Sequence, residues 1–141
     1  MLAIKGGKIL TVTKGIIEDG TLLLDKGKIV NVGKKVTIPK KAEVVEAAGK
    51  VVMPGLVEAH CHVGIMEENV GWAGSDGNEA TDPATPQVRA IDGIKANAEE
   101  KGLLAALETG ITTVQILPGS ANVIGGTGVV VKTAPKTTVD D

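Results

Sequence analysis

The residues best suited to chemistry are His60 and His62, the only histidines of the chain, in the stretch VVMPGLVEAHCHVG at residues 51–64. In a strand, alternate side chains share a face, so both imidazoles and Glu58 would point the same way. The two histidine Cα atoms would then be roughly 6.6 Å apart, at about 3.3 Å per residue. Two imidazoles can reach one ion from that separation, with metal–nitrogen bonds of about 2.0–2.1 Å. The spacing is therefore compatible with a metal site, which Glu58 could orient unless it is a separately buried carboxylate.

The same spacing is compatible with a polar patch or with hydrogen-bonded core histidines, because a short motif without context is weak evidence. A catalytic zinc usually has three protein ligands and an open position for water. The chain has no third histidine, and Cys61 would lie on the opposite face of the strand. With no histidine on its own face to lower its pKa, Cys61 is also a poor candidate for a nucleophile. Both interpretations of the histidine pair stay open at this point.

The first fifty residues predict short strands joined by tight turns. The segments AIKGGKIL, GTLLLDKGKIVNVG and AEVVEAAGKVV place glycines beside β-branched runs. Lys26-Gly27 and Ala48-Gly49 stand where hairpins need a positive φ. We expect a small β-meander or part of a β-sandwich, with too few apolar residues to form a large core alone.

The pattern changes at Pro54, which cannot donate to a sheet ladder and should therefore precede a strand. The strand predicted over 56–62 is apolar enough to be buried on both faces, as in a parallel sheet. Residues 64–93 show no sustained period and hold several glycines and prolines. They predict a long loop, which would be either a functional lid or disordered.

A helix is predicted over 98–109, because NAEEKGLLAALETG begins with a capping-box pattern of Asn97 and Glu100 and ends at Gly110. ITTVQIL then predicts a second buried strand, and GVVVKT predicts a third. Strand, loop, helix and strand in this order predict a βα unit. The final APKTTVDD has no capping or closing element, so we expect a chain cut in mid-fold.

The composition narrows the classes of partner. The 141 residues are 43% hydrophobic and carry a net charge of −2, which gives no reason to expect nucleic acid or an anionic membrane as a partner. No apolar stretch is long enough to span a bilayer, and no signal peptide begins at Met1. The single cysteine excludes an internal disulfide and fits a reducing compartment, so we expect a cytoplasmic protein.

Other polar segments have a functional and a plainer interpretation. GSANVIGGTG could cradle a phosphate with its backbone N–H groups, but it lacks the Lys-Ser/Thr completion of a P-loop. Trp72 could line the mouth of a pocket or pin the long loop. Four acidic residues could contact a substrate or be solvated loop charges: Asp76, Glu79, Asp82 and Asp92.

PGLVEAHCH resembles the signature of the amidohydrolase superfamily, whose members typically carry Pro-Gly, two apolar residues, an acidic residue and His-x-His at the end of the first barrel strand. The β-rich start with its GKI turns, and the helix ending in ETGITTV, are similar to that family's order of parts. VGWAGSDGNEATDPATPQVRAIDGI and PGSANVIGG resemble a branch related to imidazolonepropionase and prolidase-like enzymes. The resemblance extends over essentially all 141 residues.

The resemblance implies an α/β fold in two parts. Residues 1–52 would be the N-terminal part of a small β-sandwich domain. Residues 53–141 would be the first βα units of a TIM-like (β/α)8 hydrolase barrel, incomplete in this chain. A barrel of this type typically has about 250 residues, so the simplest inference is an N-terminal piece of a larger hydrolase.

The resemblance also implies a divalent metal, in the first place zinc, with His60 and His62 as the first-strand ligands. The family's further histidine ligands and its proton-shuttling aspartate have no counterpart in this sequence, and Glu58 stands where aspartate is usual. Some members bridge two metals with a carboxylated lysine. Lys132 could take that role, although a solvated lysine at a strand end is the simpler interpretation.

Three hypotheses follow. The first is the N-terminal part of a metal-dependent amidohydrolase that hydrolyses a C–N bond of a small cyclic or linear amide and is inactive as this chain alone. The second is a non-catalytic metal-binding or interaction module that retains the start of the scaffold, and the third is a structural sheet protein whose histidines bind nothing. The partner of the full enzyme would be a small-molecule substrate. Open sheet edges predict homo-oligomers or other self-association.

Overall fold

The structure, a computed structural model, describes residues 1–66, 71–75, 77–94 and 101–134. The chain divides into two compact units, Met1–Pro54 and Gly55–Asp141, and this boundary lies two residues after the predicted division. Two β-sheets dominate the described residues, together with two α-helices. The predicted α/β class is confirmed.

The first unit is a five-stranded sheet. Its strands are β1 (Leu2–Leu10), β2 (Ile16–Asp25), β3 (Lys28–Gly33), β4 (Glu43–Glu46) and β5 (Val51–Val52). The first three strands pair antiparallel in a meander, whereas β4 and β5 both pair with β1 in parallel. The predicted meander is therefore correct for β1 to β3 and stops there.

One of the two predicted hairpin turns is confirmed and the other is wrong. Lys26 and Gly27 have φ angles of 48° and 74°, the two successive positive values that a type I′ turn needs between β2 and β3. Gly49 also has a positive φ of 74°, but no hairpin forms at Ala48-Gly49. Since β4 and β5 run along the same edge of β1, this turn shifts the chain along that edge instead of reversing it.

The second unit holds a three-stranded sheet in the order β6-β7-β8. Its elements are β6 (Leu56–Cys61), a 3-10 turn (Gly71–Gly74), α1 (Ala90–Gly93), α2 (Lys101–Glu108), β7 (Ile111–Ile116) and β8 (Val129–Lys132). The parallel pairing of β6 with β7 agrees with the predicted βα unit. In contrast, β8 runs antiparallel to β7, which a strand of a parallel barrel does not do.

The predicted helix is found as α2, which ends as expected. Gly110 has a φ of 87°, the left-handed conformation that commonly follows a helix, and its N–H donates to the Leu107 carbonyl at 3.0 Å. The predicted capping box of Asn97 and Glu100 lies outside the described residues. The segment predicted as an unbroken loop over 64–93 contains the 3-10 turn and α1.

The buried cluster of the second unit centres on β7. Val114 and Ile116 are 2% and 0% exposed and pack with Ala90 and Leu103 of the two helices. The prediction of a buried second strand is thereby confirmed. The prediction that the 56–62 strand is buried on both faces is wrong, because every residue of β6 before Cys61 is exposed. The described helix α2 packs against β7, whereas the residues of β6 before Cys61 are exposed.

The entry into β6 depends on Gly55. The predicted strand begins directly after the Pro54-Gly55 pair, and the Leu56 N–H donates to the Gly110 carbonyl at 2.9 Å. A Cβ on Gly55 would lie 2.1 Å from Oγ1 of Thr112 on β7. Only glycine lets the start of β6 approach Thr112 of β7 this closely.

We predict that Gly55→Ala lowers the free energy of unfolding by about 1–3 kcal/mol, since the added methyl must displace Thr112. Gly125→Ala is the matched control, because the nearest atom to its Cβ would be at 3.5 Å. Urea denaturation followed by circular dichroism measures both variants. Equal stability of the two, within about 0.5 kcal/mol, would contradict the steric explanation.

Candidate metal centre

The two imidazoles lie against each other at the carboxyl end of β6. The ring centres of His60 and His62 are 5.4 Å apart, and their planes meet at 88°. Two imidazoles bound to one tetrahedral zinc at about 2.0–2.1 Å have ring centres roughly 5 Å apart. The separation of the ring centres is compatible with a shared metal ion and is also that of an edge-to-face contact between the two rings.

The pairing of β6 with β7 is irregular at this end. Glu58 lies opposite Val114 and Cys61 opposite Ile116, so three steps along β6 match two along β7. Such a bulge inserts one residue into a strand and re-aims the side chains nearby. Strict alternation is interrupted near 59–60, so the contact between the rings, and not the alternation, is the evidence that they lie together.

His62 is held by the backbone of the neighbouring strand end. Its Nδ1 lies 2.7 Å from the carbonyl oxygen of Leu117, the residue after β7. Because a carbonyl only accepts, Nδ1 carries the proton, and Nε2 of the neutral ring keeps a free lone pair. This is the arrangement of a metal-binding histidine, whose second nitrogen is oriented by a carbonyl or carboxylate.

The hydrogen bond of Glu58 goes to the backbone and not to an imidazole nitrogen. Its Oε1 accepts a hydrogen bond of 3.0 Å from the backbone N–H of His60, and the side chain is exposed. The alternative of a separately buried carboxylate is therefore wrong. Glu58 acts on the backbone that carries the first imidazole.

Cys61 is half-buried beside the β7 cluster, and its thiol donates to the Gln115 carbonyl at 3.4 Å. Burial raises the pKa of this thiol, a hydrogen bond from the Val63 backbone lowers it, and the charge of Glu58 raises it further. The net effect is an elevated pKa, which keeps the thiol protonated near neutral pH. Cys61 is consequently neither an activated nucleophile nor a ready metal ligand.

Lys132 lies away from the histidines. It is exposed, and its Nζ donates to Oγ1 of Thr113 at 3.1 Å. Because β8 is antiparallel, Lys132 faces Thr113, three residues before the Ile116 end of β7 and about 10 Å along the strand. The described geometry is that of a solvated lysine.

The histidine pair has no third partner among the described residues: in those ranges, no three His, Cys, Asp or Glu side chains converge in a way that could hold a metal. His60 is exposed and His62 is half-buried. The pair thus offers two ligands and open space for others.

A cleft of about 410 Å³ begins close to the histidine end of β6. Its walls include Gly64, Ile65, Pro118 and the Arg89–Asp92 ion pair. The Arg89 Nε donates to Asp92 Oδ2 at 2.9 Å, and a second bond joins Nη2 to Oδ1. These bonds lower the pKa of the Asp92 carboxyl, which is therefore charged at neutral pH.

Two further acidic residues of the long segment, Glu79 and Asp82, are engaged in local turns. Glu79 accepts from both the N–H and the hydroxyl of Thr81, which lowers the pKa of its carboxyl. Asp82 accepts from the Ala84 N–H at 2.9 Å. Asp76 lies outside the described residues. Neither Glu79 nor Asp82 lines the cleft.

Trp72 lies in the 3-10 turn and is 94% exposed. At that exposure it does not pin the loop to the described part of the chain, and it is absent from the walls of the cleft.

The glycine-rich segment, defined as residues 118–128, is bound along the backbone of the preceding long segment. The Thr127 N–H donates to the Val88 carbonyl at 2.7 Å, and a Cβ on Gly126 would lie 2.2 Å from that same oxygen. Glycine at this position allows two segments of the chain to touch. This contact explains the glycines of GSANVIGGTG structurally, without a phosphate cradle. Sequence reasoning missed this contact and missed the Leu117 carbonyl.

Comparisons with known proteins relate the chain to amidohydrolases. No protein-family model matches the chain. The amidohydrolase tasK of Hapsidospora irregularis is 34% identical over 118 residues, which are 82% of this chain and 12% of tasK. The crystal structure of an amidohydrolase from Thermotoga maritima MSB8 is 41% identical, with a TM-score of 0.89 over 99% of this chain and 35% of that one.

The chain belongs to the amidohydrolase superfamily. A prolidase solved in complex with N-methylphosphonate-L-proline is a more distant relative of this amidohydrolase chain, 26% identical with a TM-score of 0.51 over 80% of the chain and 24% of the prolidase. The amidohydrolase chain thus spans about a third or less of the length of the relatives it matches. None of its helices in the described ranges has the length and apolar content that a membrane crossing requires.

We predict that Cys61 of the folded amidohydrolase chain reacts with iodoacetamide more slowly at pH 8 than in urea, because the raised thiol pKa leaves less thiolate. The pH midpoint of the alkylation rate should lie above that of the unfolded chain. Glu58→Gln should lower the midpoint of the folded chain only part of the way toward the unfolded value, since burial is a larger cause of the raised pKa than the charge of Glu58. A folded midpoint at or below the unfolded one would refute the assignment.

Proposed function

We propose that this chain is the N-terminal part of a metal-dependent amidohydrolase that hydrolyses a C–N bond in a small cyclic or linear amide. The observation that carries the proposal is the histidine pair, with ring centres 5.4 Å apart and with Nδ1 of His62 bonded to a backbone carbonyl. The pair lies at the carboxyl end of the strand that follows the Pro-Gly entry, in a chain of the amidohydrolase superfamily. On this proposal, residues 53–141 supply the beginning of a larger barrel.

His60 and His62 would hold a divalent metal, with zinc as the proposed ion. When bound, such a metal lowers the pKa of a coordinated water to about 7 and polarises a carbonyl group. The chain's own contribution is to present imidazole nitrogens in a fixed orientation. Further ligands and the general base would come from other parts of the whole enzyme, since the described residues offer no third ligand.

We also propose that the whole enzyme belongs to the branch related to imidazolonepropionase and prolidase-like enzymes. The long segment and PGSANVIGG support this, as does the alignment with a prolidase over 80% of the chain. A small molecule with an amide bond is then the proposed substrate class. A cytoplasmic location is proposed with it, supported by the single cysteine.

A second candidate is a non-catalytic metal-binding or interaction module. The histidine pair favours it, because no third ligand lies beside the pair in the described residues. The exposed β6 favours the incomplete barrel instead, because Val57 is 66% exposed and an uncovered strand can associate. Light scattering after size-exclusion chromatography separates the two candidates. A monomer with saturable, tight zinc binding supports the module, whereas association that grows with concentration supports an incomplete barrel.

We predict that His60→Ala and His62→Ala each weaken zinc binding by more than about tenfold, since each removes one of two ligands. Isothermal titration with zinc measures the affinity. Lys132→Met is the matched control and should bind like the wild type, because Lys132 lies at the other end of the sheet. Zinc titrations of the wild-type chain that release or absorb no heat would instead support a structural protein whose histidines bind nothing.

We predict further that the isolated chain, incubated with zinc and a panel of cyclic and linear amides, shows no hydrolysis. The physical reason is that two imidazoles without a base cannot complete the reaction. Chromatographic detection of released amine measures the outcome. Turnover that disappears on addition of a chelator would contradict the proposal that the chain is inactive alone.

A further inference from the structure

The carbonyl that orients His62 belongs to a residue whose position is fixed from both sides. The Leu117 N–H donates to the Cys61 carbonyl at 2.9 Å, and the Leu117 carbonyl accepts from His62 Nδ1 at 2.7 Å. Pro118 follows, and a residue before proline is restricted to extended backbone conformations. The direction of the Leu117 carbonyl therefore depends on what holds Pro118 and Gly119.

Gly119 is held by the long segment. Its N–H donates to the Gly77 carbonyl at 2.5 Å, and the residue is buried. A Cβ on Gly119 would lie 1.9 Å from Oδ1 of Asn78 and 2.7 Å from the Gly77 carbonyl oxygen. No side chain fits between the two segments without moving them apart.

The contact continues along residues 77–90, which we call the brace. The Val123 and Ile124 N–H groups both donate to the Pro83 carbonyl at 3.0 Å, and the Thr85 N–H donates back to Ile124 at 2.8 Å. The Asn122 side chain adds a bond of 2.6 Å from Nδ2 to Oγ1 of the buried Thr85. The glycine-rich segment is thus bound to the brace at its start and along its length.

We propose that the brace, through Gly119, positions the Leu117 carbonyl so that His62 stays the Nδ1–H tautomer with Nε2 free for a metal. Brace residues make no described contact with either imidazole, so they are positioning residues. If the 118–119 backbone moves away, Nδ1 loses its acceptor. The proton can then occupy Nε2, the nitrogen that the metal needs, and the ring can turn.

Part of this inference rests on the proposed function, namely that His62 binds a metal. The inferred tautomer of His62 does not rest on the proposed function, because it is a property of the metal-free chain. Nitrogen-15 shifts of the His62 ring at pH 8 report which nitrogen carries the proton, and zinc titration reports the affinity. The two measurements separate a failure of the brace from a failure of the metal site.

The decisive pair of variants is Gly119→Ala and Gly125→Ala. Both add one methyl group to the glycine-rich segment, but the Cβ of Gly125 would meet no atom closer than Asn122 Oδ1 at 3.5 Å. We expect the wild type and Gly125→Ala to show the Nδ1–H form. We expect Gly119→Ala to show Nε2–H signal and to bind zinc about 10–100-fold more weakly, the usual effect of losing an orienting partner.

Thr85→Val is the second variant, for the case that Gly119→Ala fails to fold. It keeps the buried shape of Thr85 and removes only the acceptor of the Asn122 bond, so a smaller shift toward Nε2–H is expected. An unchanged His62 tautomer in every folded variant overturns the inference. A shifted tautomer in a chain that never binds zinc leaves the brace standing and removes the proposed metal site.

Discussion

The hydrogen bonds between the ends of β6 and β7 are the constraint on which the candidate site depends. One residue, Leu117, donates to Cys61 and accepts from His62. The orientation of an imidazole is therefore tied to the register of two strands. A one-residue slip would send the side chains of β6 to the opposite face, so register and metal geometry cannot vary independently. The bulge before this point places the rings together in spite of interrupted alternation.

The strand that provides this constraint is β7, not the strand that carries the histidines. Val114 and Ile116 are buried among both helices, and the Thr133 hydroxyl donates to the Ile111 carbonyl at the start of β7. In contrast, β6 is exposed over nearly its whole length. The hydrogen bonds of Leu117, which directly follows the packed strand β7, fix the orientation of His62. Functional groups are positioned best when they are bonded to a rigid element, and here that element is the neighbouring strand.

Much of the local structure was predictable, because local physics determines it. Pro54 predicted the start of β6, and Gly110 predicted the end of α2. Lys26-Gly27 predicted the hairpin between β2 and β3. Strand direction was not predictable in this way. The parallel β4 and β5, and the antiparallel β8, follow from pairings between residues far apart in sequence, which periodicity does not encode. For the site, the sequence indicated the two imidazoles and did not indicate the Leu117 carbonyl, since every residue carries one.

The glycines explain why the brace escaped sequence reasoning. A glycine in a turn and a glycine at a close contact look alike in a sequence, but their physical causes differ. Gly110 is required by its positive φ, whereas Gly55 and Gly119 have no such angle and are required by the space beside their Cα atoms. Both of these glycines adjoin an end of the two strands that define the site: Gly55 precedes β6, and Gly119 follows β7 within three residues. Close approach at those two ends, to the Thr112 side chain at Gly55 and to the Gly77 carbonyl at Gly119, is what these glycines contribute to the two strands beside the histidine pair.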